Sequence, residues 1–207
     1  MDPIVRGLWT MFGEPIRQKM IAAGNLSDQA WDLMNEGKYD LALEYADRAI
    51  ELNSKNANFW SVKANILSYL ARHDEALECN DKALSLSKKD GYIWANRAFI
   101  YKNMGNYAQA LACHANSCKY LPYDSGLWNL RGIMNYDMGN NQDALMCYDR
   151  ALTIDPNNGV IWKNKANVYE ELGKFDEAIQ CYKRALKIDP NDAEAKSLLN
   201  ACLNQQK

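Results

Sequence analysis

Residues 159–192 read GVIWKNKANVYEELGKFDEAIQCYKRALKIDPND, and Trp162, Gly173, Ala178 and Pro190 within them each have a counterpart 34 residues upstream. Laying the chain over itself at that shift aligns Trp60, Trp94, Trp128 and Trp162; Ala76, Ala110, Ala144 and Ala178; Cys79, Cys113, Cys147 and Cys181; and Pro122, Pro156 and Pro190. Gly37, Gly105, Gly139 and Gly173 form a further column, filled by Ala71 in the second unit, and mark a turn between two helical halves. Each unit therefore reads as helix, turn, helix. The blocks are 23–56, 57–90, 91–124, 125–158 and 159–192, followed by a terminal segment, 193–207, that reads as a capping helix.

This period and pattern resemble the tetratricopeptide repeat. In the fifth block the match runs through Trp162, Ala166, Tyr169, Gly173, Ala178, Tyr182, Ala185 and Pro190. Departures are local: Leu26 stands for Trp, Ser54 for Pro, and His114 occupies the aromatic column of the third block. The resemblance implies an all-α fold, a right-handed superhelical α-solenoid of helix-turn-helix tetratricopeptide repeats. The physical reason for such an array is that one helix pair cannot bury its apolar face alone, whereas stacked pairs share a continuous core. Alanines such as Ala76 and Ala83 let helices approach closely, and each buried Trp contributes roughly 2–3 kcal/mol.

Composition narrows the function. The chain has 207 residues, 48% apolar and 24% charged, with 24 Lys and Arg against 26 Asp and Glu. A formal charge of -2 offers no cationic excess to neutralise a phosphate backbone, so nucleic acid is not the expected partner. No apolar run approaches the roughly 20 residues of a membrane span. Residues 1–22 fail as a signal peptide, since Asp2, Arg6 and Gly13-Glu14-Pro15 interrupt the apolar run, and a cytoplasmic location is expected. Ile4, Leu8, Phe12, Ile16 and Met20 recur every four residues, predicting an amphipathic helical segment in two pieces around Pro15. Three uses of it stand: a cap on the first repeat, an exchange arm pairing protomers into a homo-oligomer, or a membrane-surface contact.

The cysteine column is too widely spaced for a bridge or a shared zinc and reads as small packing residues. His73 and His114 have no nucleophile or carboxylate pair beside them, so no catalytic constellation, cofactor or metal is expected. Lys63, Arg97, Arg131 and Lys165 form a cationic column whose stems are expected to pack between repeats while the heads reach water or nearby acids.

With Trp as position 4 of each repeat, positions 2, 5, 6, 9, 12 and 13 fall on the arc of the first helix opposite the packed one, the lining of a concave groove in a stacked superhelix. In repeats two to five, seven of these 24 positions are Asn, against fifteen Asn in the other 183 residues, although Asn is a poor helix former. Asn58, Asn65, Asn96, Asn103, Asn129, Asn164 and Asn167, with Lys163, suggest a clamp on the backbone of an extended peptide. Tyr69, Tyr92, Phe99 and Tyr136 supply shallow side-chain pockets. The alternative is that these asparagines solvate an exposed helix face. Other members of the family are similar in carrying an asparagine ladder for extended peptides. A family subtype that grips acidic chaperone tails through Lys, Asn, Asn, Lys and Arg is not matched, because Glu194 and Leu198 stand where the closing Lys and Arg belong. The expected function is a non-enzymatic protein-interaction adaptor for an extended or helical segment, neutral to mildly basic because Asp137, Glu170 and Glu171 adjoin the groove.

Overall fold

A computed structural model describes residues 3–205, and the side chains of residues 13–205. It contains α1 (Pro3–Asn35), α2 (Tyr39–Leu52), α3 (Ala57–Tyr69), α4 (His73–Leu86), α5 (Gly91–Asn103), α6 (Tyr107–Tyr120), α7 (Ser125–Asp137), α8 (Asn141–Ile154), α9 (Gly159–Glu171), α10 (Phe175–Ile188) and α11 (Ala193–Gln205). No strand occurs among the described residues. The chain divides into two compact units, 1–106 and 107–207, at the turn inside the third repeat.

The turns explain the repeat glycines. Gly37, Gly105, Gly139 and Gly173 have φ of 77°, 74°, 75° and 70°, the left-handed region that a Cβ disfavours. The amide of Gly37 bonds the carbonyl of Met34 and that of Lys38 bonds Leu33, closing the helix end before the chain reverses. Ala71 is forced into the same region at φ 57°. Between repeats, the last residue of each block caps the next helix: Asn56, Asp90, Asp124 and Asn158 each accept a backbone N–H from the first turn of α3, α5, α7 and α9. Asp192 does the same for Ala195 at α11.

Small residues lie where helices cross. In the first unit, Ala30, Met34, Ala42, Ala46, Val62 and Ile66 form one buried cluster, and Ala64, Leu67, Ala76, Cys79 and Ile100 another. In the second, Tyr148 and Tyr182 are fully enclosed, packed with Ala144 and Ala151 and with Ala166 and Ala178 respectively. Gly132 makes room for Tyr148, since a Cβ there would meet the ring at 2.5 Å. The tryptophans do more than fill space. The indole N–H groups of Trp60, Trp94, Trp128 and Trp162 bond the loop carbonyls six residues earlier, Trp60 to Ser54 at 2.8 Å and Trp162 to Pro156 at 3.0 Å, locking each loop to the helix that follows it. All six cysteines are free and buried, as packing residues should be. Loss of hydration pushes the thiols of Cys118, Cys181 and Cys202 up to about 11.

The N-terminal segment differs from the two-piece expectation. α1 runs unbroken from Pro3 to Asn35 with Pro15 inside it. Residues 14–22 are all exposed, and Glu14 and Gln18 bridge the turn around Pro15 at 2.8 Å. Ile16 is 62% and Met20 57% exposed. The side chains of Ile4, Leu8 and Phe12 lie outside the described residues. At the other end, α11 buries Ala195 and Cys202 and lays Leu198 and Leu199 against the core of the fifth repeat.

Candidate functional site

The site residues fall on the first helices of the repeats, seven in the first unit and five in the second. In the first unit they lie on α3 and α5, where a side-chain ladder links one repeat to the next. Asn96 donates through Nδ2 to Ser61 Oγ at 2.5 Å, and Asn103 to Ser68 Oγ at 2.9 Å. Ser61 and Ser68 are buried, so these amides satisfy hydroxyls that water cannot reach. Beside the ladder runs an aromatic row. Tyr39 stacks on Tyr69 with ring centres 5.2 Å apart, and Tyr69 meets Phe99 at the same distance with the rings tilted. Tyr69 remains 48% and Tyr92 58% exposed, and Asn58 lies at the start of α3, where its backbone N–H bonds Asn56. Asn65 is buried, and its Oδ1 has no hydrogen-bond partner.

In the second unit the ladder continues in kind, with Asn164 Nδ2 bonding Asn129 Oδ1 at 3.0 Å. The remaining residues are engaged more fully. Tyr182 Oη lies 2.6 Å from Asn167 Oδ1 and 3.0 Å from Glu170 Oε2, so its single proton is offered to two acceptors. Burial, then a hydrogen bond to Glu171, pushes the Tyr136 phenol up to about 12. Lys163 bonds Glu194 at 2.6 Å and Asp192 at 3.1 Å, and the Glu194 bond is the largest cause of its raised pKa. Lys163 thus ties α9 to α11 instead of standing open.

Sequence reasoning misses one device and leaves the partners of another unnamed. On a single helix the asparagines read as facing a ligand or solvent, but half of each ladder amide is spent on the neighbouring repeat; the 35-residue separation of Ser61 from Asn96, Ser68 from Asn103 and Asn129 from Asn164 is the signal that could have found this. The cationic column has defined partners: Lys63 pairs with Asp47 at 2.6 Å, Lys165 with Asp149 at 2.5 Å, and Arg97 with Asp81. Each acid lies at position 25 of the preceding repeat, sixteen residues earlier. In the third repeat that position is Ala115, and Arg131 instead lies over the ring of Trp128, 5.6 Å from its centre. No helix among the described residues is long and apolar enough to cross a membrane.

Comparison with known proteins agrees with this architecture. Three models of the tetratricopeptide repeat match, one at residues 126–158 and 160–192, one at 27–91 and one at 79–112. No curated protein matches the sequence at a significant level. Among solved structures, PilF of Pseudomonas aeruginosa is similar with a TM-score of 0.74 at 15% identity, over 86% of this chain and 81% of that one. TTC0263, a thermophilic TPR protein of Thermus thermophilus, gives 0.68 at 22% identity, over 88% and 99%. YrrB, described as a TPR protein with an unusual peptide-binding site, gives 0.64 at 19% identity, over 90% and 96%. With repeat models matching residues 27–112, 126–158 and 160–192, and the helix pairs, turns and caps in register, this chain belongs to the tetratricopeptide repeat family.

Proposed function

We propose that this protein-interaction scaffold holds an extended peptide segment of a partner against the α3–α5 face of its first unit. The observation that carries the reading is the ladder beside the aromatic row: Asn96 and Asn103 are oriented by buried serines through their NH2 groups, leaving each carbonyl oxygen to accept from a peptide N–H. Tyr69 and Tyr92 offer exposed ring surface for alternate side chains of the same strand. Preorientation favours this role, because the amides lose little further freedom on binding. The peptide-binding description of YrrB is consistent with it. In the second unit, Asn129 and Asn164 leave complementary halves of their amides, while Asp137, Glu170 and Glu171 favour a neutral or mildly basic segment over an acidic one.

The test is peptide display against the full chain, followed by titration of the selected peptides into Tyr69→Ser/Tyr92→Ser. Affinity should fall about tenfold or more with helix content unchanged. Equal affinity removes the α3–α5 face as the site.

A second reading, assembly through residues 1–22, is favoured by the exposed Ile16 and Met20. At about 100° per residue they continue the face on which Ala23, Ser27, Ala30 and Met34 are buried. In Ile16→Glu/Met20→Glu, light scattering should give a monomer where the unaltered chain gives a dimer; a monomeric unaltered chain excludes the reading.

A further inference from the structure

Position 25 of the repeats reads Asp47, Asp81, Ala115, Asp149 and then Lys183. The three aspartates each bind the cation at position 7 of the next repeat. After the fifth repeat the equivalent next residue is Leu199, which needs no acid, and the column reverses sign. Lys183 is exposed, as are its neighbours Arg184 and Lys187, and none of the three forms an ion pair among the described residues. They border a crevice of about 550 Å3 between α9 and α10, floored by Trp162 and Tyr169.

The indole of Trp162 is held by its bond to the Pro156 carbonyl and is flanked by Lys165 at 5.7 Å and Arg184 at 5.8 Å from its ring centre. Lys165 is spent on Asp149, and Glu177 is the one carboxylate lining the crevice. Three uncompensated cations against one acid make it electropositive. In the equivalent crevice of the second repeat, around Trp60, Lys63 is spent on Asp47 and Glu75 on Arg72, which leaves Lys82 balanced by Glu78. The positive crevice is therefore a property of the fifth repeat and is not imposed by the fold.

We propose that this α9–α10 crevice docks an acidic peptide segment of a partner protein. It rests on the scaffold reading but not on the α3–α5 face. Lys183 and Lys187 are one helical turn apart, about 6 Å along the axis, and alternate side chains of an extended strand repeat at about 6.6 Å, so successive acidic residues on one side of a strand meet successive lysines. The ring of Trp162 supplies a flat surface for the aliphatic stems of those acids. A nucleic-acid strand is the less suited occupant, because a chain of net charge -2 lacks an extended cationic track beyond the crevice.

The experiment titrates a labelled oligoglutamate peptide into the full chain at low ionic strength, with oligouridylate as the second probe. Compared are the unaltered protein, Lys183→Asp/Arg184→Gln/Lys187→Gln, and Lys82→Gln in the balanced crevice of the second repeat. The expected result is saturable oligoglutamate binding that weakens with salt, falls about tenfold in the triple variant and is unchanged in Lys82→Gln. Circular dichroism confirms that the exposed substitutions leave the helices formed. The proposal is overturned by equal binding to the triple variant, by no saturable binding to the unaltered protein, or by tighter binding of oligouridylate than of oligoglutamate. The Tyr69→Ser/Tyr92→Ser variant should keep full oligoglutamate affinity, which separates failure of this site from failure of the α3–α5 face.

Discussion

Replacing Asn96 by Ala removes the amide that Ser61 accepts at 2.5 Å and tests whether the ladder joins repeats or merely decorates them. Ser61 is 2% exposed, so its hydroxyl cannot turn to water. An intramolecular hydrogen bond contributes about 0.5–1.5 kcal/mol net, and a buried polar group left unsatisfied costs about 1–3 kcal/mol. The serine hydroxyl can turn back to a carbonyl of its own helix, which holds the loss for Asn96→Ala near ~1–1.5 kcal/mol. Ser61→Ala strands only a half-buried amide that water still reaches, so it should cost about 1 kcal/mol. The double variant should cost little more than either single change, giving a coupling energy of about 1 kcal/mol. Urea unfolding followed by circular dichroism reads single-variant losses of about 1–1.5 kcal/mol as midpoint shifts of roughly 0.3–0.75 M for a slope of about 2–3 kcal/mol/M. Native-state amide exchange in α3 and α5 localises the effect, which matters because repeat arrays depart from all-or-none unfolding. Losses that add to within about 0.3 kcal/mol would refute an interaction between the two side chains, and with it the orientation on which the peptide-binding proposal depends.

Ala71→Gly should stabilise the first unit by about 0.5–1 kcal/mol, since φ 57° penalises a Cβ more than glycine's extra freedom costs; an unchanged or lower urea midpoint contradicts this. Asp192→Ala should fray the start of α11 and raise the labelling rate of Cys202, which is fully buried, in a thiol-reactivity assay; an unchanged rate would mean the cap does not hold that helix. The Asp192 carboxyl is held below its ordinary 3.8 by the Ala195 amide first and then Lys163, so its stabilising effect is present at neutral pH. It is lost as pH falls below about 4 through the depressed value, and acid titration by circular dichroism should show this loss in the unaltered chain and not in Asp192→Ala. Tyr182→Phe should destabilise the second unit by about 1.5–3 kcal/mol, because the enclosed hydroxyl serves both Asn167 and the Glu170 carboxylate; a change under about 0.5 kcal/mol would mean neither bond is held in solution.

The helix pairs, their turns and the packing role of the cysteines are legible in the sequence, because a strict period turns local signals into columns: one glycine is weak evidence of a turn, four in register are strong. The partners of polar side chains are less legible. Asn96 on its own helix is indistinguishable from a ligand-facing residue, and only the stacking distance between α3 and α5 brings Ser61 to it. Lys163 matches half of a ligand-binding pattern, yet Asp192 and Glu194, 29 and 31 residues on, claim it once α11 packs. The continuity of α1 escapes a reading of the sequence because Pro15 weighs as a breaker, a rule that weakens where the surrounding turns stand in water.

The ion pairs between position 25 of one repeat and position 7 of the next also limit the order in which the modules can follow one another. Any block from the first, second or fourth place presents an aspartate to its successor, and the blocks from the second place onward carry a lysine or arginine to receive it. The fifth presents Lys183, which would confront Lys63, Arg97, Arg131 or Lys165 with like charge were another copy of those modules spliced after it. Leu199 avoids the conflict by carrying no charge, so one reversed side chain sets which modules the fifth block can precede.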